Sequence, residues 1–225
     1  MKNNFLKYLF LFLIFFTNTP LISSELIFET EEINITKEGQ ITEARNGKVN
    51  FIQENFEVNG DTFIYNKKTK KLIVTNAKSI LNNDNLIIEA KEIIYNRNTF
   101  EITAKNDVKL KDLLNKSTIS SEELIYNLKS KKVISNTPSK FKDNYDNSLY
   151  TGNFIYDLND SIAKIDSLKI VDSLRNEYSL KKSYYNTKSK KLVGKDVFVD
   201  LGKAASQENK FRIKSLGIEK EEKKT

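Results

Sequence analysis

Cysteine and histidine are both absent from the 225-residue sequence. Without cysteine the chain can form no disulfide, no thiolate metal site and no cysteine nucleophile. Without histidine it lacks the commonest general base and the commonest metal ligand, so Ser-His-Asp chemistry and histidine-based zinc sites are excluded. Paired-carboxylate chemistry remains possible, with Asp84, Glu89 and Glu92 as candidates. We predict that the protein is not an enzyme and uses neither cofactor nor metal.

Glycine and proline are also scarce, with seven and two residues. This composition argues against a glycine-rich phosphate loop and against a proline-rich disordered chain. Lysine is abundant and brings the formal net charge to +7. A basic surface can bind nucleic acid or anionic lipid head groups, but lysines in turns and at sheet edges also suppress aggregation. Most lysines here cluster with Asn, Ser and Thr, which favours the second interpretation, and we expect no nucleic-acid partner.

A long apolar run occurs only near the N-terminus. Lys2 and Lys7 precede apolar residues 8–16, and a polar stretch then leads to Ser23 and Ser24. This layout is typical of a secretory signal peptide, which we assign to residues 1–24, with a signal anchor as the alternative. We therefore expect export to the periplasm.

Five Tyr residues recur at nearly constant spacing along the rest of the chain. The intervals between Tyr65, Tyr95, Tyr126, Tyr156 and Tyr185 are 30, 31, 30 and 29 residues, and each Tyr is followed by Asn or Asp. A polar stretch rich in Lys, Ser, Thr and Asn follows, and an apolar segment resumes about seven residues after each Tyr. A fixed period of this length is the signature of a repeat architecture. Each repeat is predicted to be strand, polar turn, strand and polar turn.

The alternation of side chains between the two faces of each strand predicts a shared apolar surface. Side chains alternate between the two faces of a strand, so Ile93 and Tyr95 share a face, and the other repeats match them. Stacked repeats would bury that surface together, either as a packed core or as an apolar groove. The predicted lining consists of Phe63, Tyr65, Ile93, Tyr95, Val108, Leu110, Leu124, Tyr126, Phe154, Tyr156, Leu168 and Ile170.

No Pro- or Gly-rich linker divides the chain, so we predict one β domain over residues 25–201. The repeat pattern fades after Leu201, and the C-terminus ends in the charged sequence EKEEKKT. Residues 202–225 are predicted to be a polar, charged tail.

The recurring motif resembles the OstA-like family of lipopolysaccharide-transport proteins. The family includes LptA and the N-terminal periplasmic domain of LptD. The resemblance covers roughly residues 28–201, and its best-matching pieces are residues 60–66 (GDTFIYN), 89–96 (EAKEIIYN) and 120–127 (SSEELIYN). It implies an all-β fold of repeated antiparallel strand pairs, a β-jellyroll or "taco" with an apolar interior groove for acyl chains.

The resemblance also implies a function and partners. The expected function is non-enzymatic lipopolysaccharide transport across the periplasm and outer-membrane assembly. The expected partners are lipopolysaccharide, other jellyroll proteins joined end to end by strand addition, and an outer-membrane barrel component. The sequence shows neither barrel strands nor the cysteines common in LptD, so it fits a stand-alone LptA-like protein or an LptD-like N-terminal domain, and the number of repeats favours the latter. A structural or adhesive exported β-solenoid with a closed core is the alternative.

Overall fold

The structure is a computed structural model that describes residues 26–142, 148–171, 177–189, 191–200 and 212–220. For Asp200 and residues 212–220 it describes only the backbone. Within these ranges the chain is almost entirely antiparallel β-sheet, which confirms the predicted all-β fold of repeated strand pairs. The strands are β1 (Leu26–Thr36), β2 (Ile41–Phe51), β3 (Phe56–Asn66), β4 (Lys71–Leu81), β5 (Leu86–Asn96), β6 (Glu101–Asp112), β7 (Ser117–Asn127), β8 (Lys132–Ser135), β9 (Ser139–Lys142), β10 (Ser148–Thr151), β11 (Phe154–Asp157), β12 (Ile162–Val171), β13 (Glu177–Asn186), β14 (Leu192–Asp200) and β15 (Arg212–Lys220).

Strands and turns alternate with a period of about fifteen residues. From β1 to β7 each strand has 11 or 12 residues, and four residues connect it to the next strand. Two strands and two turns therefore make the thirty-residue unit that the tyrosine spacing predicted. The last residue of most of these turns has a positive φ, near 50–60°: Asn55, Lys70, Asn85, Phe100, Lys116 and Lys131.

The Asn or Asp after each repeat tyrosine opens the turn. The side-chain oxygen of Asn66 accepts a hydrogen bond from the backbone N–H of Thr69 at 3.0 Å. Asn127 does the same for Ser130 at 2.9 Å, and Asn186 for Ser189 at 2.8 Å. Short polar side chains favour such turns because they bond the backbone a few residues ahead.

The strands form one meandering sheet in which sequence neighbours pair. Two positions along this path hold broken strands rather than single ones. β7 pairs with both β8 and β9, and β12 pairs with both β10 and β11. The first break contains Pro138, which has no backbone N–H to give to a neighbouring strand. Hydroxyl groups fill this break, since Ser135 and Ser139 lie 3.0 Å apart and Ser135 accepts from the backbone of Thr137 at 3.3 Å.

The set of alternate residues that faces inward changes at the middle of the long strands. In β4, Leu72 and Val74 are buried before the middle, and Ala77 and Leu81 are buried after it. Asn76, at the change, has φ of 46°. Asn46, Asn106, Asp107, Ser167 and Asp196 adopt the same left-handed conformation inside β2, β6, β12 and β14. These residues mark a line of bends that crosses the sheet.

The bends fold the sheet over itself into two layers. Leu86 and Tyr95 lie nine residues apart in β5, which is about 30 Å along a straight strand. Phe56 is in register with Leu86 through Leu81, yet its ring centroid lies only 4.8 Å from that of Tyr95. Only a folded sheet allows this contact. We name the half that carries Tyr95 the tyrosine layer and the half that carries Phe56 the opposing layer.

Apolar side chains fill the space between the layers. Val49, Val58, Phe63, Ile93 and Leu110 have no measurable exposure. The alternation of the strands places their polar neighbours on the outer faces. Among the described residues no helix is long and apolar enough to cross a bilayer.

The C-terminal region differs in part from the prediction. Within the predicted tail, Arg212–Lys220 forms β15, which pairs antiparallel with β14 from Arg212 opposite Asp200 to Lys220 opposite Leu192. The pairing provides partners for backbone groups on that edge of β14. The predicted signal peptide, residues 1–24, lies outside the described residues, as do 202–211 and 221–225 of the predicted tail.

Candidate functional site

All twelve predicted lining residues face the space between the layers. Ten of them are buried in the core, and Tyr65 and Ile170 are partly buried and pack against it. Strand register places the repeat tyrosines in one row, where they alternate with aliphatic residues. That row runs Tyr65, Leu72, Tyr95, Ile102, Tyr126, Val133, Tyr156, Ala163, Tyr185 and Leu192.

The opposing layer supplies the other half of the lining, and the prediction covered only part of it: Val108, Leu110, Leu168 and Ile170, chosen from the alternation of apolar residues. Its inward row includes Phe51, Phe56, Leu81 and Leu86. Phe51 and Phe56 stack at 4.3 Å, and both rings meet Tyr95 edge-on at 4.8 Å. The same apolar alternation in β2 to β5 was the signal available for these residues, which the tyrosine spacing does not mark.

The two layers meet at a line of turns that we name the seam. The seam pairs turns of the opposing layer with turns of the tyrosine layer. Turn 52–55 faces turn 97–100, turn 82–85 faces turn 128–131, and turn 113–116 faces turn 158–161. Two polar clusters close the seam. In the first, the Tyr95 hydroxyl donates to Glu54 at 3.4 Å and the Arg97 Nε donates to the same oxygen at 2.9 Å.

The second cluster repeats this arrangement one strand pair further along. The Tyr126 hydroxyl donates to Asp84 at 2.5 Å, and the Lys131 ammonium lies 2.7 Å from the other oxygen of that carboxylate. The side chains of Glu54 and Asp84 are only 9% and 11% exposed. Each cluster therefore combines a neutral donor, a carboxylate and a cation at the edge of an apolar core.

Burial keeps the seam tyrosines protonated. Loss of solvent raises the pKa of the Tyr95 and Tyr126 hydroxyls far above their usual value, and the charge of the nearby carboxylate raises it further. Burial also raises the pKa of Tyr156. These hydroxyls therefore stay hydrogen-bond donors at every physiological pH.

At Tyr156 the nearby carboxylate is that of Asp112, and the hydroxyl has a second partner. The Tyr156 hydroxyl pairs with Thr187 at 3.0 Å, and Thr187 donates to the Ser161 carbonyl at 3.3 Å. A small apolar cavity lies beside this tyrosine, with a volume of about 20 Å³ and a lining that includes Ile119, Phe141 and Tyr185. A space of that volume is close to the size of one water molecule, so the interior is packed here too.

The candidate catalytic carboxylates do not converge. Asp84 is at the seam, bound by Tyr126 and Lys131. Glu89 points outward from the opposing layer and accepts from Lys111 at 3.0 Å. Glu92 lies on the outer face of the tyrosine layer, opposite Thr75 and Lys105. Within the ranges that the structure describes, no group of three or more carboxylates could hold a metal ion.

No protein-family model matches this chain, and a search of curated proteins finds no similar sequence.

Proposed function

We propose that the protein carries lipopolysaccharide across the periplasm toward outer-membrane assembly, by holding acyl chains between the two layers of its folded sheet. One observation carries this proposal: a continuous apolar interior whose two layers are joined at the seam by polar contacts between turns. Burial of each acyl methylene is worth about 0.8 kcal/mol, so such an interior can hold a lipid without any chemistry. The resemblance to the OstA-like family supports the same function.

Lipid entry requires the layers to separate along the seam. Among the described residues, the backbone hydrogen bonds of the sheet join neighbouring strands within a layer or through the bends, so separation of the layers at the seam leaves them in place. It breaks the clusters around Glu54 and Asp84 and exposes the core between them. The head group would remain outside the seam, where the turns carry Lys131 and Arg97.

The edges of the sheet support the proposed end-to-end partners. Among the described strands, β1 pairs only with β2, so its other edge has free backbone groups for a further strand. Ile33 and Ile35 of β1 are 55% and 62% exposed although they lie in the inward-facing rows. A second jellyroll added to this edge would cover them and continue the apolar interior.

A photocrosslinking experiment in cells tests the proposal. A photoreactive residue replaces Tyr126, which faces the interior, or Ile125, its neighbour on the outer face. We expect crosslinks to lipopolysaccharide from position 126 and not from position 125, because only the first would contact acyl chains. Tyr95 and Ile94 form a second matched pair. Equal crosslinking from both faces, or crosslinks to protein alone, would argue against a lipid carrier.

The packing of the interior favours a second function. Tyr95 and Tyr126 have no exposed surface, and the cavity beside Tyr156 holds only about 20 Å³. A closed core of this kind suits a structural or adhesive exported β-solenoid. That function predicts that an apolar dye or a detergent monomer does not enter the folded protein, whereas a carrier would take up either one.

A further inference from the structure

Four lysines and two hydroxyl residues form a two-row array on the outer face of the opposing layer. In one row Lys109 lies opposite Ser120, which lies opposite Lys140. In the next row Lys111, Thr118 and Lys142 follow the same order. Because side chains alternate, these six residues point away from the core that their inward neighbours Leu110, Ile119 and Phe141 line.

The array is compact. Neighbouring strands lie about 4.8 Å apart, so the two lysines of a row are about 10 Å apart at their Cα atoms, on either side of the hydroxyl residue. Residues two apart in a strand are about 7 Å apart, which sets the distance between the rows. Four lysines therefore flank Thr118 and Ser120 on one face of the sheet.

Among the described residues, Glu89 is the carboxylate that borders the array, and it lies opposite Lys109 in the strand register. Glu89 on β5 lies at the rim, where Lys111 and Lys78 approach its carboxylate at 3.0 and 3.8 Å. Within the described ranges, Lys109 and Lys140 have no carboxylate within 4.0 Å, and Lys140 instead lies 5.5 Å from the centre of the Tyr150 ring. On the far side β10 presents the uncharged Ser148 and Tyr150. The repulsion between Lys109 and Lys140 is relieved best by a bound anion.

We propose that this array, the outer face of β6, β7 and β9, binds a soluble polyanion through its phosphate groups. Lysine ammonium groups bind phosphate as point charges. The Thr118 and Ser120 hydroxyls lie at the centre of the array and can donate hydrogen bonds to phosphate oxygens. The spacing of the rows and strands fits a ligand that carries two or more phosphates, such as an oligophosphate or a multiply phosphorylated sugar. The site does not depend on the interior or on the seam.

The same sheet positions on β2 to β4 lack the site. There Lys48 lies opposite Asn59, which lies opposite Lys78. Lys48 pairs with Glu29 at 3.2 Å and Lys78 approaches Glu89 at 3.8 Å. This row has the same lysine spacing, but both of its lysines lie within 4.0 Å of a carboxylate, whereas Lys109 and Lys140 do not. It provides a control with the same change in net charge.

Calorimetric titration of the full-length protein with sodium tripolyphosphate tests the proposal. We expect one site, with affinity reduced at least about tenfold in the double variant K109Q/K140Q, because both lysines contact phosphate directly. The double variant K48Q/K78Q should stay within about twofold of the unmodified protein. Ser120→Ala should weaken binding without any change in charge. Circular dichroism checks that each variant keeps its fold.

Three results would overturn the proposal. One is no binding of tripolyphosphate, and another is an equal loss in K109Q/K140Q and K48Q/K78Q, which would reflect net charge alone. The third is binding only to vesicles of phosphatidylcholine with about 20% phosphatidylglycerol, which would assign the array to a membrane surface. None of these results bears on the crosslinking test of the lipid carrier, because tripolyphosphate has no acyl chain.

Discussion

At the scale of single residues, the repeat tyrosines do two things at once. Their rings fill the core between the layers, and the hydroxyls of Tyr95 and Tyr126 reach across the seam to carboxylates 41 and 42 residues earlier in the chain. Phenylalanine could do the first but not the second. A buried tyrosine hydroxyl usually finds a hydrogen-bond partner, and here that partner joins the two layers.

Tyr126→Phe should make the protein less sensitive to alkali. The pKa of Tyr126 is raised in the folded state, so above about pH 10 the unfolded chain loses this proton while the folded chain keeps it. Stability is therefore fully present below the unfolded pKa and falls as pH rises above it, by about 1.4 kcal/mol per pH unit for each such tyrosine. Denaturant unfolding between pH 9.5 and 11 should show a shallower decline in the variant.

Tyr184→Phe is the matched control, because Tyr184 is 51% exposed on the outer face. It should leave the alkaline slope unchanged. An equal slope for Tyr126→Phe and the unmodified protein would mean that Tyr126 ionises as easily when folded as when unfolded. At neutral pH, Tyr126→Phe should cost about 2 kcal/mol, since it removes a hydrogen bond to a charged group.

Ser79→Ala should stabilise the protein. Ser79 is fully buried between Val58 and Ile88, and its hydroxyl has no hydrogen-bond partner among the described residues. An unpaired buried hydroxyl costs about 1–3 kcal/mol, so its removal should raise the free energy of unfolding by about 1 kcal/mol. Chemical denaturation measures the change.

Ser135→Ala is the control for this prediction. Ser135 is equally buried, but its hydroxyl contacts Ser139 at 3.0 Å and Ser121 at 3.2 Å. Its loss should destabilise the protein by about 1 kcal/mol. Two changes of the same sign would contradict the explanation based on hydrogen bonding.

At the scale of elements, the turns are the part of the fold that local sequence predicts best. The side chain of the Asn or Asp after each tyrosine accepts a hydrogen bond from the backbone of its own turn. A stretch of four to six residues is therefore enough to predict the turn. The bends inside the strands were not predicted. Asn46, Asn76 and Asn106 adopt left-handed conformations there, and an Asn within an apolar-polar alternation is not distinguishable from an outward-facing strand residue.

Lys70→Gly should stabilise the turn between β3 and β4. Lys70 has φ of 53°, a conformation in which its Cβ is crowded and in which glycine is not. The side chain is exposed, so little packing is lost. We expect a gain of about 1 kcal/mol in the free energy of unfolding. Lys68→Gly, in the same turn and equally exposed but without a positive φ, should instead reduce stability, and a gain there would point to a general effect of lost charge.

At the scale of the whole molecule, the protein is a stack of thirty-residue units that contact their neighbours. Removal of residues 67–96 takes out one turn and strand, then the next turn and strand, and joins Asn66 to Arg97. Tyr126 then takes the place of Tyr95 to within one residue, opposite the turn that contains Glu54. Because repeat stability is a sum of local terms, the shortened chain should still fold cooperatively, with a lower free energy of unfolding.

Removal of residues 71–85, one strand with its turn, is the control. It moves β5 into the position of β4, whose buried residues are Leu72, Val74, Ala77, Ser79 and Leu81. β5 has its buried residues at the opposite parity, so its apolar side chains would face water. Circular dichroism and size-exclusion chromatography should show a folded protein in the same oligomeric state as the full-length chain for the first deletion, and unfolded or aggregated protein for the second. Two folded proteins would contradict the strand-pair unit.

The sequence by itself determined the all-β class, the strand pairs, the thirty-residue period and the inward face of each tyrosine strand. These follow from local alternation and turn chemistry, as Ile93, Tyr95 and Asn96 illustrate. Only the tertiary structure decided that the sheet folds at its middle, that Glu54 meets Tyr95 and Arg97, and that Lys109 and Lys140 flank Ser120. The physical reason is distance along the chain. Contacts between residues 11 to 43 positions apart depend on the bends and on strand register, which no short stretch of sequence contains.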